Sequence, residues 1–585
     1  MLRSERMVRY SRIVVELRNN NSRTRLLGAL VLLVALILVG RLALVQIVRG
    51  EEYEDLALRQ YSYVPGSTYE RGDVYFRSSV GEKSAAATMK SGFIVAISPG
   101  KLENEEETYE KLASVLAIDR TLFFEKVKKT DDPYEEIATR VPQEIADKIN
   151  DLKITGVSVS EESWRYYPGE TLASQVLGFV GFDGDKRVGR YGIERMFEDV
   201  LNRGEENLYQ NFFAEIFTDV KSSIFDPNET RDGDITLTIE PQVQGLLERV
   251  LLETKDKWHA SRAAGIVIDP TTGEIFGMAA NPSFDANNYS EEDDISVYKN
   301  PLVENIYEMG STFKPLTIAS ALDAGAITPE TTYNDKGFIE LNGKKISNYD
   351  HRGRGVVAMQ EILNQSLNTG TVFAMQKMGR EAFHNYMYAF GIPDTTGIDL
   401  PAEATGLTDT LNGKEEVEYA TASFGQGIAI TPITMVRALS ALANGGVLVK
   451  PHVVDSVDYE LGGEERRVAV EQGRAIKEAT SEEITRMLVR VVDEALAGGK
   501  LKHEHYSIAA KTGTAQVVNP ATHEYYDDRF MHTFFGYFPA YEPRFLVFLL
   551  LDDPKEVNFA SQTLTDSFGE IADFLLRYYN VPPDR

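Results

Sequence analysis

The chain has no cysteine among its 585 residues, which excludes disulfides, thiolate chemistry and cysteine-ligated zinc. That absence suits a protein working outside the cytoplasm, where thiols oxidise. Positive charge is scarce too: 61 Lys and Arg stand against 89 Asp and Glu, a net charge of −28. Nucleic acid is therefore excluded as a ligand, because neutralising phosphates needs clustered Lys and Arg. What positive charge there is gathers at one end. Residues 1–25 hold seven Arg against Glu5 and Glu16, a surplus of +5, so the total of −28 leaves −33 for the remainder. Internal repeats and low-complexity tracts are absent, and a content of 43% hydrophobic and 26% charged residues is that of folded protein. His503-Glu504-His505 lacks the H-E-x-x-H spacing of a zinc helix. No metal and no cofactor is implied. At this length two or more globular domains are expected.

After the basic segment comes an unbroken apolar run, residues 26–40. At 15 residues it spans roughly 22 Å as a helix, short of the ~30 Å hydrocarbon core. Extending it to residue 48 gives roughly 34 Å at the cost of including Arg41, whose long side chain can snorkel to an interface or face a partner helix. Arginines before the span place the N-terminus in the cytoplasm and the rest outside. A cleaved signal peptide is the competing reading, but the stretch is too long and no small-x-small site follows it. The expectation is a retained single-pass signal anchor over 26–48.

Residues 49–232 read as a mixed α/β region, with helical spacing at 105–117 and 143–152 and turns at Pro168-Gly169 and Gly181 to Gly184. From residue 233 the texture changes. A strand at 235–239, a helix at 241–255 and a hairpin of strands 263–269 and 274–280 open the segment; strands 533–538 and 545–551 and a helix at 568–579 close it. Strands at both ends with helices between predict an α+β domain: an antiparallel sheet built from the two ends, carrying a helical insertion.

Three short strings in that segment carry chemistry. Ser311-Thr312-Phe313-Lys314 precedes a helix-compatible apolar stretch at 316–322, which puts Ser311 at a helix N-terminus with Lys314 one turn on. That spacing brings amine and hydroxyl together and aims backbone N–H groups at a developing oxyanion. A serine needs a base to become a nucleophile, and Lys serves only when neutral; burial and a second cation, Lys511, would both lower its pKa. Ser366-Leu367-Asn368 supplies a hydroxyl and an amide. Lys511-Thr512-Gly513-Thr514 follows a short strand at 506–510, where Gly513 lets a substrate backbone approach and the Lys511, Thr512 and Thr514 groups can hold a carboxylate. Each string is weak alone. A chain this long shows S-x-x-K about twice by chance, and Ser98-Pro99-Gly100-Lys101 is such a match, in a Pro-Gly turn with no helix after it.

Together, in this order, the strings resemble those of class B (monofunctional) penicillin-binding proteins, the peptidoglycan D,D-transpeptidases. The resemblance covers residues 26–580. It includes Leu237-Thr-Ile-Glu-Pro-Gln-Val-Gln244, Asp269-Pro-Thr-Thr-Gly-Glu-Ile-Phe-Gly-Met278, Asn281-Pro-Ser-Phe-Asp285, Phe424-Gly-Gln-Gly427, Ile430-Thr-Pro432 and Ala443-Asn-Gly-Gly446. In the outer region it rests on Arg71-Gly72, Arg165-Tyr-Tyr-Pro168 and Gly192-Ile-Glu194. The chain departs from the family at Phe76-Arg-Ser-Ser-Val-Gly81, at Gln175 where a His is usual, and at Met309 where a proline is frequent.

The resemblance implies a cytoplasmic tail (1–25), a membrane anchor (26–48), a non-catalytic pedestal (49–232) and a penicillin-binding, β-lactamase-like transpeptidase domain (233–585). It implies Ser311 as nucleophile attacking the penultimate D-Ala of a stem peptide, Lys314 as base, and Ser366 and Asn368 as proton relay and peptide guide. Lys511, Thr512 and Thr514 would bind the carboxylate beside Gly513, with the backbone N–H groups of Ser311 and Thr514 as oxyanion hole. β-Lactams would acylate the same serine. The implied partners are a SEDS-type glycosyltransferase and division or elongation proteins. The Ser366-x-Asn form and the spacings of 55 and 200 residues from Ser311 to Ser366 and Lys511 lean to the division type. An elongation enzyme, a D,D-carboxypeptidase, a β-lactamase, a β-lactam sensor and a non-catalytic scaffold are the alternatives.

Overall fold

The structure, a computed structural model, describes residues 29–30, 32–34, 69–184, 186–203, 232–460, 462–518, 522 and 524–585. The expected anchor lies almost wholly outside the described residues, and among these no helix is long and apolar enough to cross a membrane.

The described residues from 69 onward form two compact units, one of residues 92–162 and one of residues 69–91 with 163–585. The smaller unit pairs the far end of the strand Lys83–Ile97 with Glu135–Val141. Its helices are Glu105–Ala113, Arg120–Val127 and Gln143–Asp151. The first two start where a side chain takes over an orphan helix donor: Asn104 accepts from Glu107 N and Asp119 from Leu122 N. Val95, Ile97, Leu112, Phe123, Val127, Val141 and Ile149 make its core. The helix expected over 105–117 ends at Ala113.

In the larger unit an antiparallel five-stranded sheet runs in the order Ala509–Val518, Tyr525–Phe538, Phe545–Asp552, Arg262–Ile268, Ile275–Asn281. The sheet is therefore assembled from the two ends of the segment, and residues 282–508, the insertion between them, carry helices together with short strands. Phe545–Asp552 is buried at all but its last position, as the central strand of a sheet covered on both faces must be. Helix Pro241–Lys257 packs on Ile275–Asn281 and Arg262–Ile268, and the C-terminal helix Thr565–Tyr578 lies against the former helix and the sheet. A second sheet joins Glu464–Arg466, Val454–Tyr459, Gly233–Leu237 and Val74–Arg77, with Val74 and Ile235 paired in parallel.

The three outer-region strings meet within this unit. Arg71 Nε donates to Glu194 Oε2 at 2.6 Å, Arg165 Nε to Glu194 Oε1 at 2.6 Å, and Tyr167 Oη to Glu194 Oε1 at 3.2 Å. All four side chains are buried. Burial alone would raise the Glu194 pKa, but Arg165 and Arg71 outweigh it and hold the carboxyl below its usual value.

Candidate active site

Ser311 lies in a 3₁₀ turn, Gly310–Phe313, that runs directly into the helix Lys314–Asp323. Gly310 begins the turn at φ +57°, and a side chain there would press on Thr514 O and Ala515 Cβ. The Ser311 hydroxyl is half-buried and has no hydrogen-bond partner among the described residues, while Lys314 behind it is wholly buried. Lys314 Nζ donates to Ser366 O at 2.5 Å and to Ser366 Oγ at 3.2 Å. The expected amine–hydroxyl pairing of Lys314 with Ser311 is thus replaced by two bonds to a residue 52 positions along the chain.

Ser366 sits at φ +55°, a left-handed conformation that costs a residue with a Cβ about 1 kcal/mol or more. That bend leaves its oxygens where both lysines reach them, since Lys511 Nζ also donates to Ser366 Oγ, at 3.2 Å. Asn368 opens the helix Asn368–Met378, and its amide donates to Ser347 O at 2.9 Å. Behind it Thr369 Oγ1 donates to Asp335, and the Asn348 amide donates to both Asp335 oxygens. This buried knot holds the start of the helix. No spacing in the sequence announces it, because its members come from three separate segments.

Lys511, Thr512, Gly513 and Thr514 lie inside the edge strand Ala509–Val518 rather than after a strand, so the short strand expected at 506–510 begins later and runs further. Alternation along it buries Lys511, Gly513 and Ala515 and leaves Thr512 and Thr514 half-exposed. Gly513 serves a closer neighbour than a substrate. A Cβ there would lie 2.4 Å from Thr533 Oγ1, 2.8 Å from Met309 O and 2.9 Å from Thr312 N, so only glycine lets the strand run alongside the turn that carries Ser311. Met309 is buried, and its carbonyl accepts from Thr312 and Thr533 hydroxyls.

The electrostatics follow from this burial. Loss of hydration, reinforced by the Lys511 charge, pushes the Lys314 pKa far below that of a free lysine. Burial alone brings Lys511 down to about 8. Lys314 is therefore biased toward its neutral form beside a Lys511 that is largely protonated at neutral pH. The first can accept a proton and the second can hold an anion. Among the described residues no cluster of His, Asp and Glu could hold a metal ion.

Gln175, the departure from the family's His, donates from Nε2 to Pro282 O at 3.0 Å and to Val297 O at 3.3 Å. Arg77, within another departure, reaches Glu274 at 2.9 Å and also pairs with Asp455.

Comparison with known proteins gives a consistent set. Residues 263–573 match the penicillin-binding protein transpeptidase domain and residues 68–212 the penicillin-binding protein dimerisation domain. Stage V sporulation protein D of Bacillus subtilis is 33% identical over 583 residues, covering 97% of this chain and 87% of that protein. Peptidoglycan D,D-transpeptidase FtsI of Escherichia coli K12 is 27% identical over 455 residues, covering 77% and 73%. In fold the chain is similar to penicillin-binding protein 2X from Streptococcus thermophilus, with a TM-score of 0.71 at 19% identity over 88% of this chain and 81% of that one. It is also similar to penicillin-binding protein 3 from Mycobacterium tuberculosis complexed with aztreonam, with a TM-score of 0.66 at 22% identity over 88% and 98%.

Proposed function

We propose, starting from a chain that belongs to the class B penicillin-binding-protein family of peptidoglycan D,D-transpeptidases, that Ser311 is its acylating nucleophile. The enzyme is a serine acyl-transferase. The observation that carries the assignment of Ser311 is the wholly buried Lys314 one turn behind it, held with Lys511 on a single serine. Neutral Lys314 takes the Ser311 proton, directly or through Ser366 Oγ, as the oxygen attacks the penultimate D-Ala carbonyl of a stem peptide. Charge that develops on the carbonyl oxygen is met by the backbone N–H groups of Ser311 and Thr514. The proton passes to the departing amine and terminal D-Ala leaves. An amine from a neighbouring stem then displaces Ser311 from the acyl-enzyme, forming the cross-link and returning the proton. Lys511, Thr512 and Thr514 hold the substrate carboxylate, and Asn368 guides the peptide. A β-lactam acylates the same oxygen.

Labelling with a fluorescent penicillin tests this. The wild-type chain is expected to take the label and Ser311→Ala to lose it; a label that persists in the variant overturns the assignment.

The same reading divides the chain into a cytoplasmic tail (1–25), an anchor (26–48), a pedestal (49–232) and a transpeptidase domain (233–585). It places the catalytic domain outside a single-pass inner-membrane anchor, with a SEDS-type glycosyltransferase as partner. The Ser366-x-Asn form and the box spacings favour septal synthesis in division. The 33% identity with a stage V sporulation protein across nearly the whole chain favours a second reading, cross-linking during spore formation. Depletion separates them: filaments mark division, rounded cells elongation, and normal growth with defective spores the sporulation role.

A further inference from the structure

One buried polar ring is left unused by the mechanism above. His532 is fully buried in the strand Tyr525–Phe538. It is the ladder partner of Thr514 on the neighbouring edge strand. Directly opposed residues of an antiparallel pair project from the same face, so the ring lies on the Thr514 side of the sheet. Its Nδ1 is 2.9 Å from the Thr563 hydroxyl, and its Nε2 has no hydrogen-bond partner. The Thr563 hydroxyl donates to Ala560 O at 3.2 Å, closing the short helix Ala560–Thr563. Ala560 N donates in turn to Thr514 Oγ1 at 3.2 Å. A ring of contacts thus leaves the sheet at His532, crosses Thr563 and Ala560, and re-enters it at Thr514.

The direction of each bond matters. A hydroxyl has one proton and two lone pairs. At Thr514 the Ala560 N–H occupies a lone pair, which leaves the hydroxyl proton free to be donated outward. At Thr563 the hydroxyl proton is assigned to the Ala560 carbonyl, and with that assignment Nδ1 is the imidazole nitrogen that donates to the Thr563 hydroxyl. Burial pushes the His532 pKa down to about 4, against a smaller opposing effect of the Asn558 backbone. The ring is neutral at working pH, with one donor and one acceptor. The bond to Thr563 is the side-chain hydrogen bond that the imidazole supplies and an apolar side chain at this position would not.

We propose that His532 is a positioning residue for recognition of the substrate carboxylate: through Thr563 and Ala560 it fixes the Thr514 hydroxyl as a donor toward the anion. The proposal rests on the assignment of Thr514 to carboxylate binding. Selectivity for a free terminal carboxylate is then set partly from behind the strand, by a side chain that never touches the substrate.

The test compares acylation of the full chain by two thioester mimics of the donor peptide, one ending in a free carboxylate and one in the neutral methyl ester. The ratio of the two second-order rate constants is the readout, and the rate with the ester reports folded enzyme. His532→Ala is expected to lower the ratio by about tenfold or more, the loss of a hydrogen bond to a charged group. His532→Asn, whose amide occupies the place of Nδ1, is expected to restore it. Thr563→Val, nearly isosteric, is expected to lower the ratio as His532→Ala does and serves if the alanine variant fails to fold. Thr514→Val is the control for the underlying assignment. If Thr514→Val loses selectivity while His532→Ala and Thr563→Val keep it, the proposal is overturned and the carboxylate assignment stands. If Thr514→Val keeps selectivity, the carboxylate assignment fails and the proposal falls with it. A packing role for His532 would move both rates together and leave the ratio unchanged, which also overturns the proposal.

Discussion

Two lysines that touch one serine hydroxyl are expected to make acylation depend on pH at both ends. Lys314 must be neutral to take a proton, and burial next to Lys511 makes it so well below the pKa of a free lysine. In its proposed role Lys511 must be charged to hold a carboxylate, and burial brings it down to about 8. Acylation by a carboxylate-bearing β-lactam should therefore fall as pH rises through about 8. In Lys511→Arg, whose guanidinium stays charged past pH 12 or so, that alkaline fall should disappear whatever the absolute rate; stopped-flow acylation across pH checks it, and an unchanged alkaline limb would refute the role. The same shifts bear on stability. Both folded pKa values lie below the unfolded lysine value, so the unfolded chain binds more protons, and the site costs stability that is regained as pH rises toward about 10.4. The identity of these residues could be read from three ordered strings, because side-chain chemistry is written residue by residue. Which atom each lysine touches could not. Ser366 arrives from 52 residues away on a left-handed bend, and a string of letters carries neither the bend nor the reach.

Periodicity and turn residues located most elements around the site, but not their extent. The nucleophile helix was expected from an apolar stretch at 316–322, and the helix Lys314–Asp323 brackets it. Its entry is a 3₁₀ turn over Gly310–Phe313, which sequence spacing does not separate from a helical first turn because both place residues three apart on one side. The strand Tyr525–Phe538 starts eight residues before the expected 533. Its first part is polar, and pairing of Gln516 with Phe530 and of Val518 with Tyr525 holds it where hydrophobic alternation gives no signal. Gly513 shows the same limit. Its need for close approach was legible; that the neighbour is the turn bearing Ser311 was not. Gly513→Ala must therefore move the edge strand away from that turn, since a Cβ would sit 2.8 Å from the Met309 carbonyl and 2.9 Å from Thr312 N. A displacement of even about 1 Å between nucleophile and oxyanion donor costs on the order of 10²-fold. Acylation by penicillin is expected to fall by about that factor with the circular-dichroism spectrum unchanged, and a wild-type rate would mean the strand and the turn are not in register as described.

The larger unit draws on distant parts of the chain, and Glu194 is where several of them are joined. The carboxylate accepts from Arg71, Arg165 and Tyr167, and Arg71 also pairs with Glu198 at 2.8 Å. The strings that contain these residues could be recognised in the sequence as belonging together, yet nothing in them marked a shared ion cluster, because their separations of 123 and 29 residues encode no geometry. Two arginines held at one buried carboxylate contribute specificity more than net stability, since desolvating three charges offsets most of their attraction. Removing the centre is a different matter. Glu194→Gln keeps the shape but removes the negative charge and one acceptor: Arg71 keeps Glu198 and the residue-194 carbonyl, while Arg165 is left, among the described residues, with neutral acceptors, the Gly72 carbonyl and the remaining amide oxygen. An uncompensated buried charge of this kind costs about 3–5 kcal/mol. The expected result is faster hydrogen exchange in the strand Val74–Arg77 and the helix Gly192–Met196, with penicillin acylation at the proposed nucleophile Ser311 retained, because none of Ser311, Lys314, Ser366 and Lys511 is hydrogen-bonded to the cluster. The pH dependence has a fixed sign. Glu194 is held below its usual pKa in the folded state, so its contribution is complete above the unfolded value of about 4.3 and is lost as pH falls through the lower folded value. Exchange in these two elements should therefore accelerate in acid for the wild-type chain and depend much less on pH in Glu194→Gln. Equal protection in the two proteins at neutral pH would show that the cluster is spectator to the fold, and that its three strings are held together by the apolar core alone.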